Sequence, residues 1–309
     1  MKISHKISAI SIAAMLLISI VFIYLSFRSY EDTIAAQEEI NQYADILWEQ
    51  RPKNLFKDML VEGKASYVLD MATGKALFQK NADETLPLAS ITKVMTALIA
   101  REKGSDSQIV TISAQALATD GESGLVEGER WALKDLISYT LLVSSNDGSA
   151  AIAEAIGGSQ QGFVDMMNRK AQDLGLTTLQ FTNPSGLDTA DYRNTGGKGS
   201  AKDVAKLFAY AYQNHPDMFV ATSYGSMTYH SESFVHNGTN TNTLVGKIPA
   251  ISASKTGYTL LAGGNLGVVV EARQGRPIVI IVLGSSFDGR FSDVSSLAST
   301  TMQTYNRGQ

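Results

Sequence analysis

The chain has 309 residues, 44% of them hydrophobic and 18% charged, with a net charge of -4 and no cysteine. That balance excludes a disordered chain, which combines low hydrophobicity with high net charge. The lack of any basic block argues against a nucleic-acid partner. Without cysteine there is no disulfide, no thiolate nucleophile and no thiolate metal site.

The N-terminus predicts a membrane element. Lys2 and Lys6 precede a run from Ile7 to Phe27 that carries no charge. At ~1.5 Å rise per residue such a helix is about 30 Å long, the thickness of a bilayer core. Arg28 ends the run and Glu31, Asp32, Glu38 and Glu39 follow. The positive end stays in the cytoplasm, so the remainder is expected on the extracytoplasmic face of the cell membrane. A cleaved signal peptide is the competing reading; it needs a shorter apolar region and a small-residue cleavage site, for which Thr33-Ile34-Ala35 is a weak match. The expected organisation is a cytoplasmic tip at 1–6, a transmembrane signal anchor at 7–27, a juxtamembrane spacer at 28–53 closed by Pro52, and a globular domain at 54–309. The first fifty residues carry three of the four net negative charges, so that domain is close to neutral.

Within it, Ala65 to Leu69 and Ala76 to Gln79 read as strands around the turn Asp70-Met-Ala-Thr-Gly74. Ser90 to Glu102 has helical spacing of Ile91, Val94, Met95, Leu98 and Ile99. Helices are also expected over Leu133–Val143, Ala150–Ile156 and Phe163–Leu174. Asn183 to Gly186 is a turn and Asn194 to Gly199 a loop. Ser200 caps a further helix, with Asp203 three residues on. Gly264 to Ala272 and Pro277 to Leu283 are Val- and Ile-rich and read as buried strands joined by Arg273–Arg276. A last helix runs from Phe291 to Tyr305. The pattern predicts mixed α and β structure, with a sheet whose outer strands come from both ends of the chain.

Three short motifs carry chemistry. In Ser90-Ile-Thr-Lys93, helical positions i and i+3 share a face, so the lysine reaches the hydroxyl. A serine is a weak nucleophile until a base takes its proton, and a lysine whose pKa is lowered by burial or a second cation can do so. Taken alone, Ser90 also reads as a helix cap and Lys93 as a solvated residue, and Ser252-Ala-Ser-Lys255 matches the same spacing. Ser144-Ser-Asn146 follows an apolar run and presents a hydroxyl and an amide two residues apart; alone it also reads as a turn. Lys255-Thr256-Gly257 offers a cation, a hydroxyl and an unobstructed backbone at a strand edge, where a substrate chain can pair.

In this order the motifs resemble those of the penicillin-recognising serine enzymes. Pro87-Leu-Ala-Ser90-Ile-Thr-Lys93-Val-Met-Thr-Ala97, Gly121-Glu-Ser-Gly-Leu125, Thr182-Asn-Pro-Ser-Gly-Leu-Asp188 and Lys255-Thr-Gly-Tyr-Thr259 narrow the resemblance to the low-molecular-weight penicillin-binding proteins, the D-alanyl-D-alanine carboxypeptidases. Ser145 stands where that family commonly has Gly, and Tyr258 where it often has His. The resemblance implies an α+β fold of the β-lactamase/transpeptidase type, an antiparallel sheet flanked by helices with an all-helical subregion, here preceded by one transmembrane helix. It implies a serine D-Ala-D-Ala carboxypeptidase that acts on peptidoglycan stem peptides, is trapped by β-lactams and needs no cofactor. Ser90 would be the acyl-ester nucleophile, Lys93 the proton acceptor, Ser144 the proton relay and Asn146 the group orienting the substrate amide. Lys255, Thr256, Gly257, the Tyr258 backbone and Arg290 would bind substrate, with Thr256 and Arg290 on the terminal carboxylate. A D,D-endopeptidase cutting cross-links would use the same residues. A class A β-lactamase needs a deacylating Glu between the second and third motifs, and Phe163 to Asp217 contains none. A non-catalytic penicillin sensor would lack a motif residue. His5, His215, His230 and His236 have no metal-ligand spacing, so no metal is expected.

Overall fold

The longest apolar strands lie near the end of the chain, and the last of them pairs with a strand from near its beginning. The computed structural model describes residues 27–28, 30–43, 46, 56–121, 123–248 and 250–306. The chain divides into two units, Met1–Asn54 with Arg307–Gln309, and Leu55–Asn306. In the first, residues 27–28, 30–43 and 46 are helical and mostly exposed. Apart from Phe27, the apolar run 7–27 lies outside the described residues. Among the described residues no helix is long and apolar enough to cross a membrane.

The second unit opens with strands β1 (Ala65–Asp70), β2 (Ala76–Lys80) and β3 (Thr85–Pro87), followed by a 3-10 turn (Ala89–Thr92) and helix α1 (Lys93–Lys103). Then come β4 (Ile109–Thr111), α2 (Ala114–Leu117), β5 (Arg130–Ala132), α3 (Leu133–Val143), α4 (Asn146–Gly157) and α5 (Gln160–Asp173). Strands β6 (Gln180–Phe181) and β7 (Gly197–Ser200) lead to α6 (Ala201–Asn214) and a 3-10 segment (Pro216–Ser223). The chain closes with β8 (Ser226–His230), β9 (Val235–Thr239), β10 (Ile251–Thr259), β11 (Gly263–Glu271), β12 (Pro277–Ser285) and α7 (Gly289–Asn306).

The main sheet is antiparallel, in the order β10-β11-β12-β1-β2. Its edges come from the two ends of the unit, as the sequence predicts. β12 reads as an unbroken apolar run because both of its faces are covered. Alternate side chains point to opposite faces of a strand. Ile278, Ile280 and Val282 join the core under α7, while Val279, Ile281 and Leu283 join the core shared with α1 and α6. Helix α1 is buried from Lys93 to Ala100 and packs against α3, α4, α5 and α6, so it runs through the middle of the helical subregion. A helix buried on all sides carries apolar residues around its whole circumference, which is what Val94, Met95, Ala97, Leu98 and Ile99 supply.

Several boundaries differ from expectation. The helix expected from Ala150 starts at Asn146, because the Ser145 side chain accepts the Gly148 N–H and caps it four residues earlier. The helix expected from Phe163 starts at Gln160 behind the Ser159 cap. The loop expected over Asn194–Gly199 contains β7, which pairs with both β3 and β6. Its glycines serve close packing: a methyl on Gly197 would lie 2.4 Å from the Thr92 hydroxyl. The Ser200 cap on α6 is present, accepting from Asp203 N.

Candidate active site

Strand β3 delivers the chain to the 3-10 turn that carries Ser90. Residues three apart eclipse in a 3-10 turn, and Lys93 therefore folds back beneath Ser90. The Lys93 side chain is fully buried. Its Nζ lies 2.9 Å from Ser90 Oγ, 2.6 Å from Asn146 Oδ1 and 2.7 Å from the Ser185 carbonyl oxygen. The two carbonyl oxygens only accept, so each takes one N–H of the amine. The remaining position on the nitrogen, proton or lone pair, is directed at the serine hydroxyl. Burial holds the Lys93 pKa well below the ordinary lysine value, the Lys255 cation lowers it further, and the Asp147 carboxylate opposes both.

The second motif forms the turn between α3 and α4. Ser144 ends α3 in the left-handed conformation at φ 66°, which is uncommon for a residue with a side chain. That turn sends the Ser144 hydroxyl toward Lys255, whose Nζ donates to it at 2.9 Å. Asn146, first residue of α4, places its amide oxygen on Lys93 and its amide nitrogen on the Asp120 carbonyl at 2.8 Å.

The third motif lies on β10, an edge strand of the main sheet. Lys255 is 1% exposed and also donates to the Thr256 carbonyl at 2.9 Å. Burial, and then the charge of Arg290, bring its pKa down to about 7. Gly257 is the point where β10 meets the nucleophile turn. A methyl there would lie 2.9 Å from the Leu88 carbonyl oxygen and 3.1 Å from the Ser90 nitrogen. Thr256 is buried, with its hydroxyl oxygen 2.6 Å from that of Thr241. Tyr258 turns outward, its ring edge-on to Phe287 at 5.1 Å. Arg290 enters from α7, donates through Nη1 to the Gly257 carbonyl at 2.8 Å and lies over the rings of Phe287 and Phe291. One arm of the guanidinium is thus already committed to the strand.

All nine residues singled out from the sequence fall in this one region. Sequence reading missed the two backbone carbonyls that hold Lys93 and Asn146, those of Ser185 and Asp120. The Ser185 carbonyl is delivered by the Asn183–Gly186 turn, where the Asn183 side chain accepts from the Ser185 and Gly186 nitrogens. Gly186 sits at φ 83°, and a methyl there would lie 1.9 Å from the Ala89 carbonyl oxygen. Only glycine allows that approach. The lone signal in the sequence is the turn itself. Among the described residues no group of three or more His, Asp or Glu side chains is placed to hold a metal ion.

The profile of peptidase S11, D-alanyl-D-alanine carboxypeptidase, matches residues 53–286. The chain is 30% identical over 257 residues to the Bacillus subtilis D-alanyl-D-alanine carboxypeptidase DacF, covering 79% of this chain and 63% of that protein. It is 30% identical over 251 residues to Escherichia coli DacC, also named a D-alanyl-D-alanine carboxypeptidase, covering 77% and 60%. The chain therefore spans less than two thirds of the length of these relatives. Penicillin-binding protein D2 of Listeria monocytogenes in its cefotaxime-bound form superimposes with a TM-score of 0.69 at 27% identity, over 79% of this chain and 98% of that one. The serine with its buried lysine, the three motifs in order and a profile match over most of the sequence lead to one conclusion: the chain belongs to the D-alanyl-D-alanine carboxypeptidase family of serine peptidases.

Proposed function

We propose that this chain is a serine D-Ala-D-Ala carboxypeptidase that removes the terminal D-Ala of peptidoglycan stem peptides through an acyl-enzyme on Ser90. The observation that carries the reading is the set of contacts around Lys93 Nζ: two carbonyl acceptors and the Ser90 hydroxyl at 2.9 Å. A buried amine so arranged, with its pKa depressed, accepts the serine proton as Oγ bonds to the carbonyl carbon of the penultimate D-Ala. The tetrahedral centre collapses by breaking the peptide C–N bond. The departing nitrogen takes a proton from Ser144, which is replaced by the one Lys93 took from Ser90, so Lys93 is again free to act as a base. Water then adds to the ester and releases the shortened peptide and Ser90. The Ser90 N–H, at the start of the 3-10 turn, and the Tyr258 N–H face the developing oxyanion. Thr256 and the free arm of Arg290 hold the terminal carboxylate.

β-Lactams acylate the same serine, a reading supported by the cefotaxime-bound relative. The run 7–27 anchors the domain in the cell membrane with the site on its extracytoplasmic face, which fractionation of expressing cells tests. For the chemistry, the full chain is incubated with benzylpenicillin and weighed by mass spectrometry. The expected result is an adduct equal to one intact penicillin, absent in Ser90→Ala; an undiminished adduct in that variant overturns the assignment. D-Ala release from a pentapeptide, against cleavage of a cross-linked dimer, separates carboxypeptidase from endopeptidase.

A further inference from the structure

Behind the Ser144–Asn146 turn lies a buried carboxylate that the acyl-transfer scheme does not use. Asp147 is 2% exposed. Its oxygens accept from Ser123 Oγ at 2.6 Å, from Gly148 N at 2.9 Å and from Ser145 Oγ. Ser123 also receives the Tyr139 hydroxyl on its carbonyl oxygen at 2.5 Å. Ser123 belongs to the loop between α2 and β5, and so does Asp120, whose carbonyl holds the Asn146 amide nitrogen. Three glycines of this loop, Gly121, Gly124 and Gly128, have positive φ. Glycine loses more conformational freedom on ordering than any other residue, so such a loop stays in place through its side-chain ties.

The tie matters because a carboxamide is nearly symmetric in shape and opposite in chemistry at its two ends. The Asp120 carbonyl can only accept, so it selects the nitrogen of Asn146 and turns the oxygen to Lys93. If the loop drifts, the amide is free to rotate and present N–H groups to the amine. We propose that Asp147, through Ser123 and Ser145, is a positioning residue that latches the loop at Ser123 onto the second motif and thereby keeps the Asp120 carbonyl on the Asn146 amide nitrogen, with the amide oxygen on Lys93. Ser145 supplies one of the two hydroxyls and caps α4 as well.

The proposal rests on the acyl-transfer reading of Ser90 and Lys93, and its test keeps the two apart. Hydrogen exchange of the loop amides reports the latch; the rate of acylation by benzylpenicillin against pH reports its effect. The full chain is compared with Ser123→Ala, Ser123→Thr and Asp147→Asn. In Ser123→Ala the loop exchanges faster and acylation slows by about 10- to 100-fold, the scale of a misplaced reacting group. Ser123→Thr keeps the hydroxyl and restores both. In Asp147→Asn the acid limb of the acylation profile moves to lower pH. The charged groups facing Lys93 are Lys255 from β10 and Asp147 from α4, and the loss of the anion leaves protonated Lys93 less favoured. That limb reports the Asp147 charge acting on Lys93, whereas the Ser123 pair leaves the charge in place and reports the latch itself. Faster exchange with unchanged acylation, or slow acylation that threonine fails to rescue, overturns the proposal, and the serine pair decides even if Asp147→Asn does not fold. A wild-type chain that takes no penicillin brings down the acyl-transfer reading and the catalytic half of this proposal, while exchange still reports whether the latch exists.

Discussion

Two buried charge clusters in this molecule are built on opposite plans. At the β1–β12 end, Asp70 accepts from Arg276 through Nε at 3.1 Å and Nη2 at 2.5 Å, and from the Tyr305 hydroxyl at 2.8 Å. Opposite charges meet, both 1% exposed, and the hairpin backbone adds an N–H from Ala72 at 2.9 Å. At the active site, Lys93 and Lys255 are equally buried and share a neighbourhood with Arg290, with Asp147 as the anion acting on Lys93. The first cluster matches charges and ties α7 to the sheet. The second sets like charges together, which works against folding and holds both lysine pKa values below the ordinary one.

Substitutions separate the two plans. The largest effect is expected from Lys93→Met, which removes the proposed base: acylation by penicillin falls about 10²- to 10⁴-fold. The melting temperature moves little, because the buried amine takes its desolvation cost with it while the Asn146 and Ser185 oxygens lose a donor. A loss of activity accompanied by unfolding would erase the contrast.

Asp70→Asn should do the reverse. Leaving the Arg276 charge uncompensated in the interior costs ~3–5 kcal/mol, read as a lower urea midpoint, while each folded molecule acylates at the normal rate.

Lys255→Gln probes the like-charge plan through pH. The folded-state pKa of Lys255 is about 7, against 10.5 for the free side chain. Between these values the unfolded chain binds the extra proton, so stability rises with pH across that window and the penalty is fully present below it. The rise should be smaller in Lys255→Gln. The same variant removes a cation facing Lys93, and the acid limb of acylation moves to higher pH. An unmoved limb would mean that the two lysines do not feel each other.

The smallest effect marks what burial contributes. Lys202 and Asp83 lie 3.0 Å apart on the surface, and Lys202→Ala should leave the melting temperature and the acylation rate unchanged within error.

Much of the catalytic region was legible because it depends on side chains with characteristic chemistry at short spacings. Ser90 with Lys93, Ser144 with Asn146, and Lys255 to Gly257 carry their meaning in residue type. The Ser185 and Asp120 carbonyls do not, since every residue owns a carbonyl and only the folded path brings one to Lys93 and the other to Asn146. Thr241, whose hydroxyl meets that of Thr256, was silent for a related reason: it is one of three threonines alternating with asparagine over 239–243, and nothing marks it out until β10 is in place. The fold divides in the same way. β11, β12 and α3 announce themselves through apolar runs. β7 reads as a loop, because its glycines were selected by the proximity of Thr92 and Leu179, a tertiary constraint with a turn-like composition.

The register of β1 against β12 pairs Ala65 with Leu283 and Asp70 with Ile278. Strands that distant in sequence close a very long loop, which is slow relative to local contacts. In a chain made N-terminus first, β1 therefore has only β2 beside it until nearly the whole domain has emerged. Ser90 and Lys93 appear early, yet Lys255 and Arg290 arrive among the last elements. The site is consequently completed near the end of folding, and a chain stalled in synthesis before β10 holds a serine that is still an ordinary alcohol.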